Sequence, residues 1–549
     1  MAASSGAGGP ARWSTRLSLV LLFVAALASL SVGIATIPVT DRDEARFAQA
    51  SRQMAETGDF VDIRYQDVPR YKKPVGIYWA QAGVLRLLNP EEPSQIWMHR
   101  LPSLLAAALA PLLVVWAGVP LVGSVVALMA GGMMASVYLL YAEAHFAKTD
   151  AALLVAALGA MGALSRAWMG QVRGWAVPLV FWTSVAAGLL LKGPVVLAPV
   201  ASVIVWVAVL KREVRWLLDL RPGPGLLWML FLAGPWYVAI SLEAGWAFWA
   251  ESAGRDLAGK IAEGQENHGG PPGLYLLWLL MMGWPWVLVF PAAAVMAWRR
   301  RGERGMTFLI GWVVPFWVVL ELVPTKLPHY PLPLYPALMC LGALAIRDWL
   351  GGERPVWPAR IGALFWAIGL AWFLLLILGA PIWQGVPVPL VSVAGATGVV
   401  ALAVAAALKA RVAPGLSLVS VMGAAVLAFW AFLGSTLPAL TPFWISTALA
   451  EATERAACLD GPVGLVGYHE PSAVFLLGQD TLLTWPDDLA AAFASGRIVA
   501  AWVPEDSLET TPGVEGANLV TGFNYNSGRD VALRLIEAPG TPAAAPVCP

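Results

Sequence analysis

The sequence is poor in charge, in histidine and in cysteine. Of its 549 residues only 13% are charged, five are histidine and three are cysteine. So few ionisable groups exclude a soluble domain held in water by a charged surface, and a hydrophobic content of 58% points the same way. Three cysteines exclude a disulfide-stapled scaffold and a cysteine-rich metal site. Cys340 lies in an apolar run, while Cys458 and Cys548 lie near the two ends of a polar C-terminal region. In an oxidising compartment that pair forms a bridge or remains as two free thiols. There is no excess of either sign, with 35 basic and 35 acidic side chains, and no basic tail. A nucleic-acid partner is therefore not expected.

What the chain has in quantity is apolar sequence. Stretches of about 17 to 25 residues recur, each long enough to cross roughly 30 Å of hydrocarbon as a helix. They predict a polytopic α-helical membrane protein with about thirteen spans, near 17–37, 101–119, 121–142, 150–165, 175–191, 194–210, 225–242, 273–298, 306–323, 329–346, 359–380, 387–408 and 413–436. Arg12 and Arg16 before the first run also suit a secretory signal. The length of the run and the sequence after it favour an uncleaved span with a cytoplasmic N-terminus.

Orientation follows from the short loops. Arg166 with Arg173, Lys211 to Arg221, Arg299 to Arg304, Arg347 to Arg360, and Lys409 with Arg411 fall in alternate loops, which the positive-inside rule makes cytoplasmic. Segments 38–100, 143–149, 243–272, 324–328 and everything after about 437 then face outward, into the periplasm if the membrane is a bacterial inner membrane. Two domains are expected: a transmembrane unit, 1–436, and an outer α/β unit, 437–549. In the second, Val463 to Val466 and Ile498 to Val503 read as strands, and Ser446 to Ala457 and Asp487 to Ala494 as helices.

The first outer loop carries the chemistry. Thr40-Asp41-Arg42-Asp43-Glu44-Ala45-Arg46 and Tyr71-Lys72-Lys73-Pro74 crowd charges beside a bilayer, where they cost desolvation unless something they bind offsets it. Glu44 to Glu56 reads as a helix with a weak apolar face of Phe47, Ala50, Met54 and Ala55, ended by Gly58. Pro74 to Leu88 reads as a second, interfacial helix.

Asp43-Glu44-Ala45-Arg46, Gly58-Asp59-Phe60, Lys73-Pro74, Asn267-His268 with Gly270-Pro271-Pro272, and the proline-rich run from Lys326 to Pro336 together resemble the aminoarabinose transferase and protein O-mannosyltransferase superfamily. These are GT-C fold glycosyltransferases that use a polyprenyl-phosphate-linked sugar. The motifs occur in order from the first span to about residue 346; beyond it only the general layout and Gly522-Phe523-Asn524-Tyr525 match.

The resemblance implies inverting transfer of a monosaccharide from a polyprenyl (undecaprenyl) phosphate carrier to an envelope acceptor by a single chain among membrane lipids. Lipid A or lipopolysaccharide is the first acceptor, a protein hydroxyl the second. It places Asp43 at the catalytic carboxylate, either taking the acceptor's proton or, for an ionised phosphate acceptor, positioning groups. Lys73 falls at the lysine that binds the carrier phosphate. Arg46 either joins it there or holds Asp43, and Lys326 enters from another outer loop as a further phosphate contact. Glu44, Asp150, His268, His329 and Tyr330 complete the expected substrate contacts. Lys72 stands where the aminoarabinose enzymes commonly have a metal-binding glutamate, so no metal and no cofactor is expected to be required. A lipid-linked sugar flippase is the rival of another class. It is disfavoured because the charges gather at the outer ends of the spans and no internal repeat is found.

Overall fold

The computed structural model describes residues 11–90, 94–262, 269–353, 355–456, 461–510 and 519–537. His268, Asn267, Cys458 and Cys548 lie outside them, and with them the expected histidine contact and the expected bridge.

Among the described residues, eight helices are long and apolar enough to cross a membrane: Ile96–Val122, Asp150–Trp168, Ala176–Lys211, Pro222–Ala244, Arg304–Leu322, Val356–Trp383, Leu390–Lys409 and Pro414–Ala439. A ninth is made if Ser124–Met134 and Tyr138–Ala144, bent by 58° at their junction, form one span. The difference from thirteen is a matter of continuity. Residues 175–210, expected as two spans, form Ala176–Lys192 and Leu197–Lys211 with a 3-10 turn at Gly193–Val196 between them, and this stretch is counted once among the eight. The 273–298 stretch divides into Leu274–Met282 and Phe290–Arg299 around Gly283 and Pro285, and the 329–346 stretch becomes helical only from Tyr335, after its prolines. The first run contributes the shorter apolar helix Arg16–Leu30.

The outer loop supplies Asp43–Thr57 and Gly76–Leu88, joined by a two-stranded ribbon. Gly58, at φ 77°, caps the first helix by donating its N–H to Met54. Glycine pays no Cβ penalty there. Phe47, Ala50 and Met54 pack with Tyr71, Ile77, Tyr78, Trp236 and Phe248, which is the apolar face read from the sequence. Tyr78 is thus core rather than interface. The opposite face is buried too, because Ala45 and Ala48 close around Phe475 from the C-terminal region.

That region holds a five-stranded sheet in the order Leu482–Thr484, Val463–Val466, Ala500–Pro504, Arg529–Glu537, Leu519–Asn524. The first three strands are parallel, and Arg529–Glu537 is antiparallel to both its neighbours. Every residue of Val463–Val466 is buried. One face of the sheet packs on Ile445–Arg455 through Ile445 and Leu449, and Ala492 of Pro486–Ala494 packs with residues of the other. A central parallel strand covered on both sides needs no polar alternation.

Candidate active site

The outer loop is tied down by one buried ion pair. Arg100, fully buried near the start of Ile96–Val122, uses all its donors. Nε and one Nη bond the two carboxylate oxygens of Glu44 at 2.8 and 2.9 Å, and the remaining bonds go to the carbonyls of Ile34, Ile37 and Pro38. Glu44 also accepts from the N–H and hydroxyl of Thr40 and from the N–H of Ala147. This knot holds Arg42 at φ 63°, a conformation costly for a residue with a Cβ, immediately before the helix that presents Asp43.

Around it is a cavity of about 270 Å³ lined by Asp43, Arg70, Lys72, Lys73, Lys148, Asp256, Lys260 and His329, among others. Asp43 and Lys73, thirty residues apart, share this chamber. The Asp43 side chain is 61% exposed within it, with Arg70 at 3.8 Å. Burial raises the affinity of Asp43 for a proton, but Arg70, Lys148, Arg46 and Lys73 outweigh it, so the carboxyl is held below its ordinary range. Lys73 is paired with Asp256, whose other oxygen takes Lys260 at 2.6 Å. Burial, against the pull of Asp256, brings the Lys73 ammonium down to about 8.

His329 stands in the wall, with Glu143 at 4.0 Å and Asp150 at 3.8 Å. Burial holds it neutral, at about 3. Asp150 lies behind the wall, buried, and bonds Lys192 at 2.5 Å. The lining is therefore strongly cationic, with Asp43 as the carboxylate most open to the space. It suits an anionic group on the lysines and a nucleophile beside Asp43.

The sequence-predicted residues divide accordingly. Asp43, Lys73, Glu44 and His329 are brought to one cavity, although Glu44 has its oxygens fully engaged and acts as an anchor rather than a substrate contact. Arg46, Asp150 and Tyr330 do not line it. Arg46 acts on Asp43 through its field, Asp150 steadies Lys192 and His329, and Tyr330 packs edge-on to His329 at 5.1 Å. Lys326 is placed differently from the expectation of a phosphate contact. Its ammonium donates to the carbonyls of Leu320, Glu321 and Val323, closing the C-terminus of Arg304–Leu322. Sequence reasoning missed Arg70, Arg100, Lys148, Asp256 and Lys260 as members of the site. For the four cations the available signal was their place in outer segments, where the positive-inside rule does not call for them; Asp256 carried no such signal.

Solved structures share this fold. ArnT from Cupriavidus metallidurans bound to undecaprenyl phosphate superimposes with a TM-score of 0.75 at 19% identity, over 95% of this chain and 98% of that one. The fold is the GT-C fold of ArnT. The oligosaccharyltransferase of Archaeoglobus fulgidus is more distant, at a TM-score of 0.52 and 11% identity, covering 90% of this chain and 69% of the other. A family model described as dolichyl-phosphate-mannose-protein mannosyltransferase matches residues 72–238. Among curated proteins, the undecaprenyl phosphate-alpha-4-amino-4-deoxy-L-arabinose arabinosyl transferases of Enterobacter sp. (strain 638) and Erwinia tasmaniensis are each 28% identical, over 308 and 311 residues. Each alignment covers 54% of this chain and 54% of the relative, so the chain spans about half the length of the curated relatives it matches. The ArnT-like GT-C fold agrees with the resemblance read from the motifs.

Proposed function

We propose that the protein is an inverting glycosyltransferase that moves a monosaccharide from undecaprenyl phosphate to an envelope acceptor, lipid A or lipopolysaccharide first, at the periplasmic face of a bacterial inner membrane. The observation that carries this reading is the shared cavity of Asp43 and Lys73. The acceptor oxygen attacks the anomeric carbon as the bond from that carbon to the carrier phosphate oxygen breaks. Asp43 takes the acceptor's proton, or orients an acceptor that is already a phosphate anion. Lys73 and Lys260 receive the charge that grows on the departing phosphate.

Lys72 lines the cavity where a carboxylate ligand would be needed, so no step is routed through a metal ion. The topology proposed with this function has the N-terminus in the cytoplasm, the sheet domain in the periplasm, and thirteen crossings, the shorter apolar helices included. Mass spectrometry of lipid A, envelope glycans and glycoproteins from cells with and without the gene tests the reading. A sugar lost from one lipid acceptor on deletion, and not restored by Asp43→Asn, is the expected result. Loss from proteins alone moves the acceptor to protein hydroxyls. An unchanged envelope refutes the assignment.

A further inference from the structure

Gly522-Phe523-Asn524-Tyr525 closes the edge strand Leu519–Asn524 of the sheet domain and lines no part of the candidate site, yet its tyrosine reaches the outer loop. The Tyr525 hydroxyl accepts the N–H of Asp41, 484 residues away, at 2.9 Å. The Asp41 carboxylate in turn accepts the hydroxyl of Ser472 and, at 3.3 Å, its N–H.

Each residue of the stretch serves that contact. A Cβ on Gly522 would stand 2.5 Å from the Pro442 carbonyl oxygen and 2.6 Å from Ile445 Cγ1, so only glycine lets the strand lie this close to the chain entering the sheet domain. Phe523 packs on Phe443 and Trp383, with ring centres 6.0 and 5.8 Å apart. Asn524 donates to Glu470 at 2.8 Å and accepts the N–H groups of Asn526 and Ser527, which folds the turn that carries Tyr525. Tyr525 itself rests against Phe443 at 6.0 Å.

The other side of the outer-loop turn is fixed from the membrane unit, where Glu44 takes the N–H and hydroxyl of Thr40. With residues 40 and 41 both pinned, Arg42 takes φ 63° and ψ −108°. A residue with a Cβ keeps such a conformation only where its surroundings determine it. Asp43 follows directly, as the first residue of its helix. Resting on the part assigned to Asp43 above, we propose that the sheet domain is a working component of the active site: Tyr525 and Ser472 are positioning residues that set the Asp43 carboxylate through Asp41.

The test uses the full-length protein in nanodiscs, with an undecaprenyl-phosphate sugar and lipid A as substrates and undecaprenyl phosphate alone as the binding probe. Tyr525→Phe keeps the ring on Phe443 but leaves the Asp41 N–H without its acceptor, and Ser472→Ala removes the hydroxyl from the Asp41 carboxylate. Each is expected to lower kcat about 10–100-fold, the scale of a displacement of up to about 1 Å at a reacting group. The affinity for undecaprenyl phosphate and the KM for the donor stay unchanged, because Lys73 and Lys260 are fixed by Asp256 instead. Added to Asp43→Asn, Tyr525→Phe slows transfer no further, since it acts only through the carboxylate already removed. Wild-type kcat in both hydroxyl variants, with Asp43→Asn slow, overturns the proposal and leaves the reading of Asp43 standing. A further loss on top of Asp43→Asn, or a matching loss of undecaprenyl phosphate binding, overturns it as well, since either shows a general loosening of the fold. Wild-type transfer by Asp43→Asn removes the reading beneath the proposal, and the proposal with it.

Discussion

The Glu44–Arg100 pair is the sharpest place to perturb this structure. Both side chains are fully withdrawn from solvent, and between them they satisfy three backbone carbonyls, two backbone N–H groups and the Thr40 hydroxyl. Glu44→Gln keeps the shape but replaces one acceptor oxygen with a donor. Whichever way the amide turns, it faces either Arg100 Nε with the Ala147 N–H, or Arg100 Nη with the Thr40 N–H and hydroxyl.

Two or three donors are stranded, and the guanidinium loses its counter-charge. Removing one member of a buried pair costs about 3–5 kcal/mol. Arg100→Met strands the Glu44 carboxylate and three carbonyls at a similar cost. In the double variant the stranded charges are gone together, so it should be less destabilised than the sum of the single variants by about 1–3 kcal/mol. Equilibrium unfolding in mixed micelles measures all four corners of the cycle. A Glu44→Gln cost below about 1 kcal/mol, or strict additivity, would refute the claim that this knot organises the outer loop.

Other expectations follow from the same geometry. In the proposed mechanism Asp256 occupies both lysines assigned to the carrier phosphate, so Asp256→Asn should tighten undecaprenyl phosphate binding while Lys73→Ala abolishes it; isothermal titration separates the two outcomes. Because Lys73 loses its proton near pH 8, binding of the phosphate should weaken as pH rises through 8. In stability the same shift has the opposite sign: between about 8 and the ordinary lysine value the unfolded chain holds more protons, so this group favours folding as pH rises. Asp41, which accepts from the Ser472 hydroxyl, is pushed up to about 7 by burial and by Glu470. The native state then holds a proton that the unfolded chain has lost between about pH 4 and 7. Docking of the sheet domain should be strongest in acid and weaken over that window, and Asp41→Asn should flatten the profile. Phe475→Ala, which empties the socket between Ala45, Ala48 and Ile96, should cost about 3–5 kcal/mol in the same unfolding assay.

The sequence was most legible where periodicity and local chemistry act alone. The helix Asp43–Thr57 and its Gly58 cap follow from a short apolar face and a left-handed stop, and the strand Val463–Val466 from an unbroken apolar run. What could not be read was long-range pairing. Nothing near Arg100 announces that it meets Glu44, fifty-six residues away, and nothing near Asp256 points to Lys73. Lys326 misled because a lysine in a proline-rich outer loop looks free, whereas a neighbouring helix end had carbonyls to close. The second buried face of Asp43–Thr57 was hidden for the same reason, since Phe475 reaches it from more than four hundred residues downstream.

The central claim is that one carboxylate and one ammonium act together on a lipid-phosphate sugar. Purified protein in nanodiscs, supplied with an undecaprenyl-phosphate sugar and lipid A, tests it directly. Asp43→Asn should lower transfer by about 10²–10⁴-fold while leaving undecaprenyl phosphate bound. Transfer at the wild-type rate by Asp43→Asn would contradict it.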